Sequence, residues 1–411
     1  MKIGLVTIGA ELLNGTRIDS NAGWIGTQVT SHGGKVIWHT TISDNQNDIK
    51  EALNTMPKSI KTIICTGGLG PTHDDITSST LFNYFNVNTE FDSEYWDLLS
   101  EKFAKRGIKI PNSNKNQAIK PCSSNGKVIP NSLGSARGLH LNNGVFDLFA
   151  LPGVPSEMKM MMKEYILPWI KSKSDISLDV NLLRTTGVME SALYEKLDPF
   201  IKEHKDVEVA FLPKFTGVDI RISSNSKKIN NSFIKDIKPI INKYYYGEKD
   251  VELEDVVAEL LVSNKMTIAT AESCTGGLVG DRLTNVSGSS KYYKGGVVAY
   301  SNEIKSSQLH VNQDILNSHG AVSEEVALEM ARGVRSHFSS DIGISTTGIA
   351  GPSGGSKEKP VGLVYVSISS NEFDKTYKFS FTPYRKTNKL MTSQAALNIT
   401  RRYLLNGPQK T

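Results

Sequence analysis

The sequence predicts a mixed α/β chain divided into three units, and three observations carry that expectation. Its 411 residues exceed what one hydrophobic core ordinarily encloses. The first 170 residues alternate short apolar runs with amphipathic stretches, the trace of a βαβ arrangement around a parallel sheet. Two breaks in that texture, a Ser- and Lys-rich stretch at 171–179 and an acidic one at 247–255, mark unit boundaries. The expected units are residues 1–170, 178–246 and 253–411.

In the first unit, residues 3–8, 36–41 and 62–66 read as strands. Helices are expected at 21–31 and 48–56, with Ser20 and Asn47 as N-caps. Two more helices follow at 77–85 and 92–106, then a strand at 146–151 that runs into Pro152-Gly153-Val154-Pro155. Ser156 is expected to cap a helix reaching Trp169, whose Met158, Met160, Met161 and Met162 read as core filler. The second unit reads as strands at 181–186, 207–211 and 218–223 with helices at 191–201 and 228–242, a small α+β fold without a catalytic signature. The third opens with a helix at 253–263 and a strand at 267–271 and closes with a helix at 386–405. Between them lie strands at 296–300, 342–347, 362–369 and 376–381, and a helix starting at Ser323-Glu324-Glu325, with acid where the helix dipole favours it.

A hydrophobic share of 38% with 22% charged residues describes a water-soluble globular protein, and no apolar run approaches the ~18 residues of a membrane span. The amino terminus carries one basic residue before a strand-like run, unlike a secretory signal. Cys65, Cys122 and Cys274 lie far apart, so neither a disulfide framework nor a zinc knuckle is indicated and a reducing cytoplasm is expected. The net charge of +5 is spread over interspersed acids and bases, which argues against direct nucleic-acid binding.

The sharpest motif is Thr270-Ala271-Glu272-Ser273-Cys274-Thr275-Gly276-Gly277, where a strand gives way to a helix. A hydroxyl at such a turn can attack a carbonyl whose oxyanion meets the turn's freed N–H groups, with the helix N-terminus adding partial positive charge; a capped turn without chemistry is the plainer reading. Ser273 needs a base, and Lys305 after the next strand qualifies once burial lowers its pKa. Tyr300 is a candidate to relay the proton or orient the amine. Cys274 is the rival nucleophile, and His310 and His319 read as solvated. The loop Thr346-Thr347-Gly348-Ile349-Ala350-Gly351-Pro352-Ser353-Gly354-Gly355 reads either as a plain turn or as a backbone that approaches ribose or phosphate, and Arg385 either as a surface charge or as a phosphate grip.

Near the amino end, Thr66-Gly67-Gly68-Leu69-Gly70-Pro71-Thr72-His73-Asp74-Asp75 lacks both the dinucleotide fingerprint and the P-loop lysine. Its glycines can still cradle a phosphate. Carboxylates beside such a loop suit magnesium held partly by substrate phosphates, while the plainer reading makes Asp75 a helix cap.

The segments TAESCTGG, GGVVAYSNEIK, HGAVSEE and TTGIAGPSGGSKEKPVGLVYV, in that order, strongly resemble the nicotinamide-nucleotide amidohydrolase part of CinA-type proteins. The loops after the early strands, Gly9–Gly15 with Asp19, Ser43-Asp44, TGGLGPTHDDIT and LPGVPSEM, resemble the molybdopterin-binding-like fold of the family's other part. The resemblance implies two three-layer αβα domains joined by a small α+β unit. It implies deamidation of nicotinamide mononucleotide without a metal, with Ser273 as nucleophile, Lys305 as base and Tyr300 assisting. Ser290, Thr347 and Arg385 match substrate-binding positions, and Lys389 stands where a second arginine is common. It further implies magnesium-dependent hydrolysis of ADP-ribose to AMP and ribose 5-phosphate, with Asp44 and Asp75 at the metal or the chemistry and Glu11 and Asp74 as lesser candidates. A homodimer is expected on the same ground. The competing expectations are that the first unit only binds molybdopterin or a nucleotide, or that the chain is an interaction factor in competence or DNA repair.

Overall fold

The computed structural model describes residues 1–174 and 179–407, in two compact units, Met1–Asp179 and Val180–Thr411. The expected linker at 171–179 continues a helix through Lys173, and its residues 175–178 lie outside the described residues, as do 408–411 at the end of the expected third unit. Among the described residues no helix is long and apolar enough to cross a membrane.

The first unit contains strands β1 (Lys2–Ile8), β2 (Lys35–Ile42), β3 (Thr62–Thr66), β4 (Thr89–Phe91), β5 (Ile119–Pro121), β6 (Gly126–Ile129), β7 (Gly138–Asn142) and β8 (Asp147–Leu151). Six of them form one sheet in the order β2-β1-β3-β8-β7-β6, and β4 pairs with β5. The four strands from β2 to β8 are parallel, while β7 and β6 run antiparallel. The expected parallel sheet is therefore mixed; the short, Gly- and Asn-punctuated β6 and β7 lack the apolar run that marks β1 or β3. Helices cover both faces of the sheet, so every residue of β3 is buried.

Several helix starts differ from expectation by one or two residues. The caps are Asp19, accepting from the Ala22 N–H at 2.9 Å, and Asn45, accepting from the Asp48 N–H at 2.9 Å, so Ser20 and Asn47 lie inside the first turns. The Met-rich helix starts on Pro155, a residue preorganised for a first turn, and Ser156 is not its cap. Met158, Met161 and Met162 are fully buried, as core filler should be.

In the second unit, β9 (Asp179–Thr185), β10 (Glu208–Lys214), β11 (Gly217–Ser224) and β12 (Tyr245–Glu248) form a sheet in the order β10-β11-β9-β12, with helices Glu190–Glu203 and Lys227–Ile241 packed through one apolar core. Strand β12 falls in the acidic stretch read as a boundary. A larger sheet, β13 (Ile268–Glu272), β14 (Tyr293–Val298), β15 (Ile342–Gly348), β16 (Leu363–Ser369) and β17 (Asp374–Ser380), has the order β14-β13-β15-β16-β17. Its first three strands are parallel, and helices on both faces make three layers.

Polar contacts join these two sheets into one unit. Arg184 of β9 donates to Asp219 of β11 at 2.9 Å and to both oxygens of Glu252 at 3.1 Å. From the last helix, Arg401 donates to the carbonyls of Tyr245 at 2.7 Å and Lys243 at 3.1 Å, and Gln394 to the Thr186 hydroxyl at 3.2 Å. Removing one partner of a buried ion pair strands the other, so Arg184→Met is expected to cost about 3 kcal/mol in denaturant unfolding. A loss below ~1 kcal/mol would show that the Lys214 ammonium, 2.6 Å from Asp219, suffices alone.

Candidate active sites

Ser273 is the first residue beyond β13, in a turn that ends where the helix Leu278–Asn285 begins. Gly276 and Gly277 have φ of +60° and +95°, a left-handed backbone that favours glycine. The Ser273 N–H donates to the Thr346 carbonyl at 2.9 Å, extending the parallel ladder by one residue. Strand alternation then gives Ser273 the face of Ala269 and Ala271, which pack toward helix Asn302–Leu309.

Lys305 on that helix is 1% exposed. Its Nζ donates to the Ala299 carbonyl at 2.8 Å and to Ser273 Oγ at 3.3 Å. Burial pushes its pKa below the ordinary lysine range, against the opposing pull of Cys274 and Glu303. The expected pairing of Ser273 with Lys305 is thus formed. Cys274 fails as a rival: it is 5% exposed, and burial pushes its thiol up to about 12.

Three N–H groups at the helix start are already taken by a neighbouring carboxylate. Glu272, 2% exposed, accepts from the N–H groups of Gly277 at 3.0 Å, Val279 at 3.0 Å and Gly280 at 2.8 Å. Its role was not anticipated from the motif, although an acid closing a buried strand just before a helix start is a signal for such a cap.

Other expected residues divide. Thr347 shares the Ser273 face, because its neighbour Thr346 pairs with Glu272; its hydroxyl donates to the Ala321 carbonyl at 2.7 Å. Gly348 ends β15 where a methyl group would meet the Leu363 carbonyl at 2.7 Å. The Gly351 carbonyl accepts from Arg385 at 3.1 Å, and Arg385 donates to the Tyr300 hydroxyl at 2.6 Å. Tyr300 lies beyond β14, which ends at Val298, is 61% exposed, and among the described residues its hydroxyl bonds Arg385 rather than Ser273 or Lys305. Ser290 lies before β14, at the amino end of the parallel strands, whereas Ser273 follows the carboxyl end of β13; the fold of a single chain does not join them. His310 and His319 are exposed, as expected.

Lys389 completes a cationic rim. A methyl group on Gly276 would lie 3.3 Å from the Lys389 Nζ, and neither Arg385 nor Lys389 forms an ion pair among the described residues.

In the first unit, the loops after β1, β2, β3 and β8 line one cleft of about 910 Å³ at the carboxyl ends of the parallel strands. Gly67 has φ +117°, and a methyl group there would fall 2.0 Å from the Ile8 carbonyl oxygen; at Gly68 it would fall 2.2 Å from the Thr77 hydroxyl. Asp44 accepts from the Ala10 N–H at 2.8 Å, binding two loops together. Asp75 accepts from the N–H of Thr72 at 2.8 Å and its hydroxyl at 2.5 Å, and sits against Gly70. It is not the helix cap, since the helix begins at Thr77 after Ile76. Asp74, exposed beside His73, and Glu11 also line the cleft.

Asp44 and Asp75 each spend one oxygen on the protein, and the other has no protein donor among the described residues. No cluster of three His, Cys, Asp or Glu that would hold a metal alone exists among the described residues. Two carboxylates opening on a cleft fit magnesium, which takes few protein ligands and shares phosphate oxygens.

Two stability outcomes follow. Glu272→Ala leaves three amides without an acceptor and is expected to cost about 2 kcal/mol in thermal or denaturant unfolding. For Lys305, the folded-state pKa lies below the ordinary 10.5, so folded protein binds fewer protons between the two values and stability rises with pH across that window. Lys305→Met is expected to raise the melting temperature at neutral pH and to flatten that rise, read in melting curves across pH.

Comparison with known proteins matches residues 4–172 to the family described as "Probable molybdopterin binding domain", 181–247 to the damage-inducible protein CinA KH domain and 250–404 to the CinA C-terminal domain. A CinA-like protein of Dictyoglomus thermophilum is 37% identical over 412 residues, covering 99% of this chain and 100% of the relative. A CinA-like protein of Dictyoglomus turgidum is 36% identical over 412 residues, with the same coverage. The crystal structure of competence/damage inducible protein CihA from Agrobacterium tumefaciens is 34% identical, covering 36% of this chain and 94% of that one, with a TM-score of 0.35. With full-length relatives at this identity and all three domain types in order, the chain belongs to the CinA family.

Proposed function

We propose that the chain is a hydrolase with two separate sites: one deamidates nicotinamide mononucleotide and the other cleaves the pyrophosphate of ADP-ribose. The observation that carries the first reading is a buried lysine, its pKa lowered, 3.3 Å from a serine hydroxyl at the end of a strand. Neutral Lys305 takes the Ser273 proton as Oγ attacks the carboxamide carbon. The C–N bond then breaks, the proton passes from Lys305 to the departing nitrogen, and ammonia leaves an acyl-enzyme. Water attacks that ester, giving one proton to Lys305 and from there to Ser273, and the carboxylate is released. Arg385, oriented by Gly351 and Tyr300, and Lys389 meet the mononucleotide phosphate.

In the first unit, Asp44 and Asp75 would hold magnesium together with the substrate phosphates, and Gly67, Gly68 and Gly70 let the backbone approach the pyrophosphate. Such an ion, when bound, neutralises charge building on the phosphoryl oxygens.

Ammonia release from nicotinamide mononucleotide is expected to fall at least 10³-fold in Ser273→Ala and Lys305→Ala. In the wild type it rises with pH through the lowered Lys305 pKa, because only the uncharged amine accepts a proton. Wild-type turnover in either variant sinks the assignment. AMP formation from ADP-ribose is expected to vanish with chelator and in Asp75→Asn while deamidation continues; chelator-resistant AMP formation would remove the metal from the second reading.

A further inference from the structure

The second unit holds an open pocket of about 730 Å³ to which Ser273 and Lys305 contribute nothing. The last helix, Arg385–Asn406, lines it together with β17, the loop after β9 and the turn between β10 and β11. Its volume lies within the ~300–1,000 Å³ of small-molecule sites. Alternate residues of β17 line it with aromatic rings: Tyr377, Phe379 and, just beyond the strand, Phe381, whose ring stacks on Phe379 at 5.1 Å between centroids. The loops add Met189 and Phe215, 74% and 63% exposed. Flat apolar walls of this kind favour an aromatic ring over a sugar or a free phosphate.

The unspent polar groups on the helix are donors. Asn398 and Arg402 lie four residues apart, on one face of the helix, and both line the pocket. Arg401 donates to Asn398 Oδ1 through Nε at 3.2 Å and Nη2 at 3.0 Å, which leaves the Asn398 N–H₂ group as the free end. A methyl group on Gly187 would lie 3.3 Å from that nitrogen, so it faces the loop after β9, and among the described residues it has no acceptor.

Charge in this corner is unbalanced. Arg401, 2% exposed, is otherwise held by the Tyr245 and Lys243 carbonyls, and Arg402 forms no ion pair among the described residues. Burial, and then the Arg402 charge beside it, bring the Arg401 pKa down to about 10. Lys214 is spent on Asp219 at 2.6 Å, while Glu190, the acid on the pocket wall, is exposed and pairs with neither arginine. The Tyr377 hydroxyl is buried and also has no partner among the described residues.

We infer that this pocket binds a small aromatic carboxylate, its ring against Tyr377, Phe379 and Phe381 and its anionic group accepting from Arg402 and the Asn398 N–H₂ group. The ligand supplies the acceptor and the negative charge that the protein leaves out. Neither hydrolytic reading is needed for this site.

The test is calorimetric binding of naphthoate, and of its neutral counterpart naphthylmethanol, to the wild type, Arg402→Gln, Asn398→Asp and Ala395→Phe. Asn398→Asp keeps an acceptor for Arg401 while setting a carboxylate against the ligand, and Ala395→Phe fills the pocket from the helix. Unchanged melting temperatures establish that each variant folds. Naphthoate is expected to bind the wild type and to weaken at least 10-fold in Arg402→Gln and Asn398→Asp, about the loss of one charge-assisted hydrogen bond, with naphthylmethanol unchanged in both. Ala395→Phe is expected to weaken both probes. Naphthoate binding that survives Arg402→Gln and Ala395→Phe lies elsewhere, in the Ser273 site or on the surface, and overturns the assignment. Equal weakening of both probes in Arg402→Gln marks a structural role for the arginine and overturns it too, as does a wild type that binds no naphthoate.

Discussion

The contact between Lys305 and Ser273 is the constraint around which the C-terminal site is arranged. An amine enclosed by protein is costly as an ammonium ion, and that cost lowers its pKa and favours the uncharged form. The surrounding structure serves this contact: the Ala299 carbonyl holds Nζ in place, the Thr346 carbonyl pins the serine backbone, and the left-handed glycines after Ser273 let the chain turn away without crowding the hydroxyl.

Glu272 resolves a conflict of charge beside that pair. A carboxylate one residue before the nucleophile would be expected to draw a proton onto the lysine. Instead it faces the opposite side of the strand and gives its oxygens to the first amides of the following helix. The negative charge is stabilised by the helix dipole, and the two faces of one strand carry separate duties.

The strands at the carboxyl ends of which both sites sit were legible in the sequence because parallel strands buried on both faces are largely apolar runs, as in β1 and β3. Ser273, Lys305, Asp44 and Asp75 were legible because motif and strand end coincide. Short, polar or half-exposed elements were not. Strands β6 and β7 have no run to announce them, and their places depend on pairing with distant residues. Tyr300 was expected inside strand β14 but lies two residues beyond its end, on the side that Val298 already exposes. Ser290 shows that position in a motif does not fix the end of the sheet at which a residue lies.

The last helix, Arg385–Asn406, links the C-terminal site to its neighbouring sheet. Its first turns present Arg385 and Lys389, while Gln394 and Arg401 further along grip the sheet that β9 and β12 belong to. A helix of 22 residues is a rod of about 33 Å. Anchoring its far half fixes the lever arm of the near half, so the small sheet serves as a foundation: it carries no reacting group, yet it decides how still these two cations are held.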